Sequence, residues 1–236
     1  MTLKTQMSRV ISFDGIDGSG KTTCVQNVAQ YLKDMGLEVL VTCEPKGTEF
    51  GLELFDCMQM RHVTQHAAIY AMFSARAELF ETVIKPFVDA NPAGFVLLDR
   101  HVFSTVAYQA SANSDNLHLV SNLYSSFRWM LEYKTPRPQR PYTPDTAVVF
   151  NVEPQIALDR VLKRSLHGQA VLEPLEKQDP SAVLEYYQAL QSTYNKISKH
   201  RGFGNHYFNI VDVDANQSAS DVSKEVSQRI VDTFEL

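Results

Sequence analysis

The stretch Gly15-Ile16-Asp17-Gly18-Ser19-Gly20-Lys21-Thr22 decides the fold, because it matches the phosphate-binding pattern G-x-x-x-x-G-K-[ST]. The run Val-Ile-Ser-Phe at residues 10–13 precedes it and predicts a buried strand. Apolar residues at helical spacing follow it and predict a helix over residues 22–32. Strand, glycine-rich loop and helix form the context in which this pattern cradles phosphate. The alternative is an ordinary glycine-rich turn that contains a chance Gly-Lys-Thr.

Each residue type in this loop has a chemical reason to be there. Glycines can adopt positive φ angles, so the backbone N–H groups of the loop can close on phosphate oxygens. Lys21 supplies a mobile cation for the β and γ phosphates, and Thr22 offers a hydroxyl group to Mg²⁺. The residues predicted to bind the nucleotide are Gly15, Asp17, Gly18, Ser19, Gly20, Lys21, Thr22 and Thr23. The loop alone names no reaction, because ATPases, GTPases and small-molecule kinases all contain it.

Length and composition limit the class of protein. With 236 residues the chain can bury a full core, and we predict one α/β domain over residues 1–236. The formal net charge of −5 argues against a general nucleic-acid or membrane-surface binder, since either needs a basic face. Three cysteines without metal-ligand spacing predict reduced thiols. We therefore expect a cytoplasmic protein with no nucleic-acid partner and no membrane partner.

Strands and helices alternate along the rest of the sequence. Further strands are predicted at residues 38–42, 94–98, 146–152 and 207–213. Further helices are predicted at residues 50–60, 65–87, 117–131, 155–164, 180–199 and 220–234. This alternation predicts a doubly wound, five-stranded, mostly parallel sheet flanked by helices. The long helix is expected to bury a stripe formed by Ala68, Met72, Ala75, Leu79, Val83 and Phe87.

Two segments between these elements are predicted to be irregular. The Pro-rich segment 135–141 cannot be helix interior and is predicted as an exposed connection. The polar, poorly periodic segment at about 164–180 is predicted as a lid. The preceding helix closes with Arg160, Lys163 and Arg164. The helix dipole favours cations at the C-terminal end of any helix, which is one explanation for these residues. The alternative is that they belong to a mobile lid and contact the transferring phosphate.

Charged residues follow two of the predicted strands. Asp99 and Arg100 come directly after strand 94–98, and a loop containing Lys46 follows strand 38–42. Open α/β sheets bind ligands at the carboxyl ends of their strands. Asp99 is therefore a candidate for ordering Mg²⁺ through water, and Arg100 for holding a phosphate. The alternative for Asp99 and Arg100 is a pair that only caps the strand. The alternative for Arg76, in the long predicted helix, is a cation on the protein surface.

In this arrangement the motifs resemble the thymidylate kinase (dTMP kinase) family of P-loop nucleoside monophosphate kinases over nearly the whole chain. The stretches that show the resemblance are Asp14-Gly-Ile-Asp-Gly-Ser-Gly-Lys-Thr-Thr23, Glu44-Pro45-Lys46-Gly47-Thr48, Phe73-Ser-Ala-Arg76, Glu81-Thr-Val-Ile-Lys-Pro86, Asp99-Arg-His-Val-Phe-Ser-Thr-Val-Ala-Tyr-Gln109 and Asp214-Ala215. Their shared order is more specific than any one of them. The resemblance implies phosphoryl transfer from ATP·Mg²⁺ to dTMP, giving dTDP, and a homodimer.

The resemblance also implies catalytic and metal-binding residues. Gly18 stands where one branch of the family has a catalytic Arg, and the bacterial type supplies that cation from the lid, where Arg164 matches. The implied catalytic residues are Lys21, Asp99, Arg100 and Arg164, and the implied metal ligands are Thr22 and Asp99. Asp214 and Ala215 would border the adenine of the donor.

An acceptor site for dTMP is implied in the same way. By resemblance, Asp17 meets the sugar 3′-OH, Arg100 clamps the phosphate, Arg76 hydrogen-bonds the base, and Tyr108 disfavours a ribose 2′-OH. The implied acceptor residues are Asp17, Glu44, Lys46, Met72, Phe73, Arg76, Arg100, Ser104, Thr105, Tyr108 and Gln109.

Three positions depart from the family pattern and keep alternatives open. Cys43 and Phe55 stand where relatives have Arg, and Met72 stands where an aromatic ring commonly stacks on thymine. One alternative is therefore a kinase for another or a modified pyrimidine deoxynucleoside monophosphate. A deoxynucleoside kinase fits less well, because Arg100 and Lys46 would have no acceptor phosphate to bind. A nucleotide-binding switch without phosphoryl transfer and an inactive relative complete the alternatives.

Overall fold

A computed structural model describes residues 9–61, 63–133, 142–166 and 179–236. The predicted connection at 135–141 and residues 167–178 of the predicted lid lie outside these ranges. The strands are β1 (Val10–Asp14), β2 (Val39–Cys43), β3 (Phe95–Asp99), β4 (Thr146–Asn151), β5 (Gly202–Phe203), β6 (His206–Tyr207) and β7 (Asn209–Asp214). The helices are α1 (Lys21–Asp34), α2 (Glu49–Met60), α3 (Gln65–Leu79), α4 (Lys85–Ala90), α5 (Val102–Thr105), α6 (Ser114–Tyr133), α7 (Pro154–Leu166), α8 (Pro180–His200) and α9 (Ala219–Phe234). None of the helices in these ranges could cross a bilayer, because none combines the necessary length and apolar character.

The main sheet confirms the predicted five-stranded architecture. Its strand order is β2-β3-β1-β4-β7, and every neighbouring pair is parallel. The central strands β1, β3 and β4 are almost entirely buried, as expected for apolar strands covered by helices on both faces. Phe13 of β1 and Cys43 of β2 both pair with Asp99 of β3. The polar residues that follow these three strands are therefore brought to one edge of the sheet.

The helix predicted over residues 65–87 contains a π-helical segment, Phe80–Ile84, between α3 and α4. Of the predicted stripe, Met72, Ala75 and Leu79 are buried, whereas Ala68, Val83 and Phe87 are half-buried; beyond Leu79 the fully buried residues are Phe80 and Ile84. A π turn holds one residue more than an α turn, so the buried face moves on by one position. Val83 and Phe87 still pack against the core, but the prediction that they are buried was wrong for this reason.

Two other parts of the chain differ from the predicted elements. No helix is predicted between strand 94–98 and residue 117, but α5 and a second π-helical segment, Val106–Ala110, follow β3. The strand predicted at 207–213 begins two residues later, as β7, because Tyr207 belongs to a small antiparallel pair of β5 and β6. Gly204 and Asn205 form the turn of that pair, and both have positive φ angles. A two-residue turn of this kind is a hairpin signal that the sequence contains.

Candidate active site

The loop between β1 and α1 has the conformation expected of a phosphate-binding loop. Gly20, at the start of α1, has φ +88°, and Lys21 is only 5% exposed. The Lys21 ammonium donates to the carbonyl oxygen of Ile16 at 2.8 Å and lies 3.5 Å from the Ser19 hydroxyl. Burial and, next, the nearby Arg100 lower the pKa of Lys21 to about 8. The lysine is thus held inside the loop, where an anionic ligand would stabilise its charge.

Gly18 is the point at which α7 touches this loop. Its φ is +78°, and a Cβ atom added there would lie 2.1 Å from the carbonyl oxygen of Ala157 in α7. Both the φ angle and the close approach exclude a side chain at residue 18. Arg164 lies seven residues after Ala157, on the same face of α7, and lines a cavity beside the loop. This packing fits a catalytic cation that comes from α7 and not from residue 18.

Thr22 and Asp99 meet at the edge of the loop. The Thr22 hydroxyl donates to Oδ2 of Asp99 at 2.7 Å. A hydroxyl and a carboxylate oxygen are ligand types that suit Mg²⁺, which also keeps several waters. The two residues proposed as the metal site are therefore adjacent and chemically suited to that ion. Asp99 points to the phosphate loop, so the alternative of a simple strand cap does not describe it.

A cavity of about 330 Å³ lies between the phosphate loop, α7 and the loop after β7, where the sequence predicts the donor. Its lining includes Gly18, Ser19, Gly20, Thr23, Arg160, Lys163, Arg164, Ala215 and Gln217. The predicted Asp214 lies outside it; its carboxylate accepts a 2.7 Å hydrogen bond from the Asn216 side chain and faces a neighbouring cavity. Ala215 thus lines the smaller cavity, whereas Asp214 shapes the adjoining turn.

Arg160 lines this cavity, and the sequence predicts for it either a favourable place at the helix dipole or a role in the lid. Its guanidinium donates to four backbone carbonyl groups: those of Gly18 at 3.4 Å, Ala215 at 2.8 Å, Asn216 at 3.4 Å and Gln217 at 3.3 Å. One side chain thus joins the phosphate loop to the loop after β7. The only sequence signal was its place among the cations at the end of α7.

On the other side of the phosphate loop lies a larger cavity of about 570 Å³. The predicted residues that line it are Asp17, Lys21, Thr22, Glu44, Lys46, Met72, Asp99, Arg100, Ser104, Tyr108 and Gln109. Its wall also contains Phe55 and Met58 from α2, which makes that end of the cavity apolar. Three predicted acceptor residues, Phe73, Arg76 and Thr105, lie behind this wall. Gly15 is covered by Phe150 and lines neither cavity.

Arg100 connects β3 to the phosphate loop. Its φ of +72° lies in the left-handed region, which is unusual for a residue with a side chain and is often retained at functional sites. Its guanidinium donates to the carbonyl of Gly15 at 3.0 Å and forms an ion pair with Asp17. The Tyr108 hydroxyl donates to the second oxygen of Asp17 at 2.9 Å. Arg100 is thereby fixed on the wall of the larger cavity.

Asp17 is ionised in this arrangement. Desolvation alone would raise the pKa of its carboxyl group, but Arg100, Lys21 and Tyr108 outweigh it and lower the pKa to about 2. The negative charge of Asp17 therefore balances the positive charge of Arg100 at neutral pH. A phosphate group that binds beside Arg100 therefore needs a second cation from the wall of the larger cavity to balance its charge.

Arg76 is fully buried, so the alternative of a surface cation was wrong. Its Nε and Nη2 atoms donate to Glu44 at 2.7–3.1 Å, and Nη2 also donates to Thr105 at 3.0 Å. The ring centroid of Phe73 lies 4.5 Å from the Arg76 guanidinium. Its Nη1 atom is buried without a hydrogen-bond partner. A donor left in this state is an expected partner for a ligand oxygen, because an unpaired buried donor is costly.

His101 completes the pocket around Glu44. Its Nδ1 lies 2.8 Å from Oε1 of Glu44, and its ring is buried. Burial would raise the pKa of Glu44, but Arg76 and His101 lower it to about 2. The sequence favours a structural over a catalytic role for His101, whose buried ring borders the larger cavity and is hydrogen-bonded to Glu44. Glu44 thus joins Arg76 to His101 at the wall of the larger cavity.

Comparison with known proteins covers most of the chain. The family model described as thymidylate kinase matches residues 13–226. Similar proteins include the thymidylate kinase of Chlorobaculum tepidum, 30% identical over 226 residues that cover 94% of this chain and 96% of that protein. The thymidylate kinase of Chlorobium luteolum is 33% identical over 191 residues, or 80% and 83% of the two chains. That of Halorhodospira halophila is 29% identical over 232 residues, or 97% and 96%. The chain belongs to the thymidylate kinase family.

Proposed function

We propose that this protein transfers the γ-phosphoryl group of ATP to dTMP and forms dTDP. The observation that supports this most directly is that one phosphate-binding loop borders two cavities. Lys21 and Thr22 face the larger cavity, whereas Gly20 and Thr23 face the smaller one. A donor and an acceptor bound in the two cavities would meet at the loop. Positioning of this kind supplies most of the rate in phosphoryl transfer.

The larger cavity has the polar groups that a deoxypyrimidine monophosphate needs. Arg100 and Lys46 would bind its phosphate, which lessens the repulsion between two polyanions. Arg76 lies behind the cavity wall, so its unpaired Nη1 atom would donate to a carbonyl oxygen of the base after the wall shifts to admit the ligand. Asp17 and Tyr108 would face the sugar, where the ring of Tyr108 leaves less room for a ribose 2′-OH. Met72 would contact the base in place of a stacked aromatic ring.

The mechanism follows from the charges around the loop. Lys21 would neutralise the transferring phosphoryl group from the loop, and Arg164 from the side of α7. Thr22 and Asp99 would hold Mg²⁺, which supplies further charge neutralisation when it is bound. No covalent intermediate is needed, since the acceptor phosphate attacks in line. Exclusion of water from the site would protect ATP from hydrolysis, and this is the role that the sequence predicts for the segment at about 164–180.

The acceptor is tested with a steady-state panel of monophosphates, with ATP and Mg²⁺. We expect dTMP to give the highest kcat/KM, ahead of dUMP, dCMP, a 5-hydroxymethyl pyrimidine deoxynucleotide and the ribonucleotide of thymine. A poor rate with dTMP beside a high rate with another member would favour the alternative acceptor, which the Met72 position motivates. Nucleotide binding without ADP formation for any member would instead favour the switch that does not transfer phosphate.

Replacing Arg164 with alanine tests the source of the catalytic cation. We expect kcat to fall about a hundredfold, because a charge that acts mainly in the transition state is lost. The Kd for dTMP, measured by calorimetry, should stay within about threefold of the original, since that change removes no ground-state contact of the acceptor. Arg229→Ala, an exposed arginine on α9, is the matched control. An unchanged kcat in Arg164→Ala would remove the assignment to α7.

We further propose a homodimer formed through helices that flank the sheet, as the resemblance implies. Tyr70 on α3 and Trp129 on α6 are large apolar side chains exposed on such helices. The cytoplasmic location also stays a prediction, supported by the free thiols of Cys24, Cys43 and Cys57.

A further inference from the structure

Lys46 and Phe55 form a contact at the mouth of the acceptor cavity. The Lys46 ammonium lies 3.9 Å from the ring centroid of Phe55. Both residues line the cavity that also contains Arg100. An ammonium group over an aromatic face is attracted by the negative potential of the ring. The contact therefore gives a flexible, exposed lysine a preferred place on the cavity wall.

The position of the Phe55 ring is fixed by the way α2 begins. Thr48 caps the helix, because its hydroxyl accepts a 3.0 Å hydrogen bond from the Gly51 backbone N–H. A Cβ atom added at Gly51 would lie 2.0 Å from the carbonyl oxygen of Pro45, the residue before Lys46. Helix α2 thus packs directly on the loop that contains Lys46. Phe55 is four residues beyond Gly51 and lies on the same face of α2, so its ring faces that loop.

Lys46 matters for the acceptor phosphate because of the charge balance in the cavity. Arg100 is already neutralised by its ion pair with Asp17. A nucleoside monophosphate brings up to two negative charges to this side of the phosphate loop. The ammonium of Lys46 is a further cation that lines the same cavity. A lysine with free rotamers would lose conformational entropy on binding that phosphate, and a lysine already held in place would lose less.

We propose that Phe55 is a positioning residue, which holds the ammonium of Lys46 where it binds the 5′-phosphate of the acceptor nucleotide. This inference rests on the proposed function, since it deepens the description of the same acceptor site. Phe55 itself does not contact the phosphate. Its effect passes entirely through Lys46, and this separates it from a residue that only packs α2.

The test compares Phe55→Leu with Phe55→Tyr, Lys46→Met and the double variant Phe55→Leu/Lys46→Met. The Kd and KM for dTMP should rise about threefold to fivefold in Phe55→Leu and return to near the original value in Phe55→Tyr, which keeps the ring. Lys46→Met should raise both by about tenfold. Adding Phe55→Leu to Lys46→Met should change nothing further, because the interaction is already absent. The KM for ATP and kcat should stay within about twofold in Phe55→Leu.

Phe50→Leu is the matched control, since Phe50 is exposed on the same helix and does not line the cavity. It should leave the Kd for dTMP unchanged, and thermal unfolding shows whether any variant lost its fold. The proposal is overturned if Phe55→Leu resembles Phe50→Leu, if the effects of Phe55→Leu and Lys46→Met simply multiply, or if Lys46→Met leaves the Kd unchanged. Absence of dTMP-dependent ADP formation in the unaltered protein would instead overturn the proposed function.

Discussion

Replacing Lys21 with alanine is expected to lower kcat about a thousandfold or more, the largest effect on catalysis that the site predicts. Lys21 is the one cation inside the phosphate loop, and its ammonium is held 2.8 Å from the carbonyl of Ile16. The Lys21 ammonium would stay close to the phosphoryl group and neutralise the negative charge that develops on it during transfer. No neighbouring side chain can take its place, because Arg100 is fixed to Asp17 and Gly15. The loss should therefore appear in kcat.

The experiment measures ADP formation at saturating ATP and dTMP, together with calorimetric titration of dTMP. The Kd for dTMP is expected to stay within about threefold, since Lys21 serves the transferring group. Lys33→Ala is the matched control, because Lys33 is exposed near the end of the same helix. It should leave kcat unchanged, and thermal unfolding of both variants confirms that the helix remains. If Lys21→Ala kept more than about a tenth of the original kcat, Lys21 would not be the cation of the transition state.

Much of the fold could be predicted because its signals are local. The phosphate loop, the apolar run at residues 95–98 and the helical spacing in residues 22–32 each depend on neighbours within about ten positions. The alternation of such segments then leaves few topologies, and the observed strand order is one of them. The π-helical segments escaped prediction, since one extra residue in a turn leaves no local signal in the apolar pattern.

The candidate site was only partly predictable, because its partners are distant in sequence. Arg76 and Glu44 are separated by 32 residues, and no periodic pattern could show that they pair. The same holds for Gly18 and Ala157, whose contact explains why a side chain is excluded from the loop. Family resemblance supplied the residue types but not these contacts. The resemblance therefore implied that Arg76 hydrogen-bonds the nucleobase of the acceptor, but it did not show that Glu44 holds the Arg76 guanidinium.

Replacing Glu44 with glutamine is expected to reduce the free energy of unfolding by about 3–5 kcal/mol at pH 7, because it leaves the guanidinium of Arg76 buried without a counter-charge. Arg76 is 0% exposed, and three of its hydrogen bonds end on the Glu44 carboxylate. Glutamine keeps the size of the side chain, so the loss reports charge and not volume. Glu225→Gln is the matched control, since Glu225 pairs with Arg229 on the surface of α9. Its expected effect is below about 1 kcal/mol.

The pH dependence of the free energy of unfolding shows whether the ionised Glu44 carboxylate is the group that stabilises the fold. The pKa of Glu44 is lowered from 4.5 to about 2 in the folded protein, so the unfolded chain takes up the proton first as the pH falls. The stabilisation from Glu44 is therefore complete above pH 4.5 and is lost towards pH 2, by about 1 kcal/mol at pH 4. His101, whose pKa burial lowers, acts in the same direction below its ordinary value. Because Glu44 also raises the pKa of His101, the comparison is made in a His101→Gln background, where the difference in urea unfolding between Glu44 and Glu44→Gln should shrink by about 1 kcal/mol between pH 7 and pH 4. A constant difference, or one no larger than that of Glu225→Gln, would mean that Arg76 does not depend on the Glu44 charge.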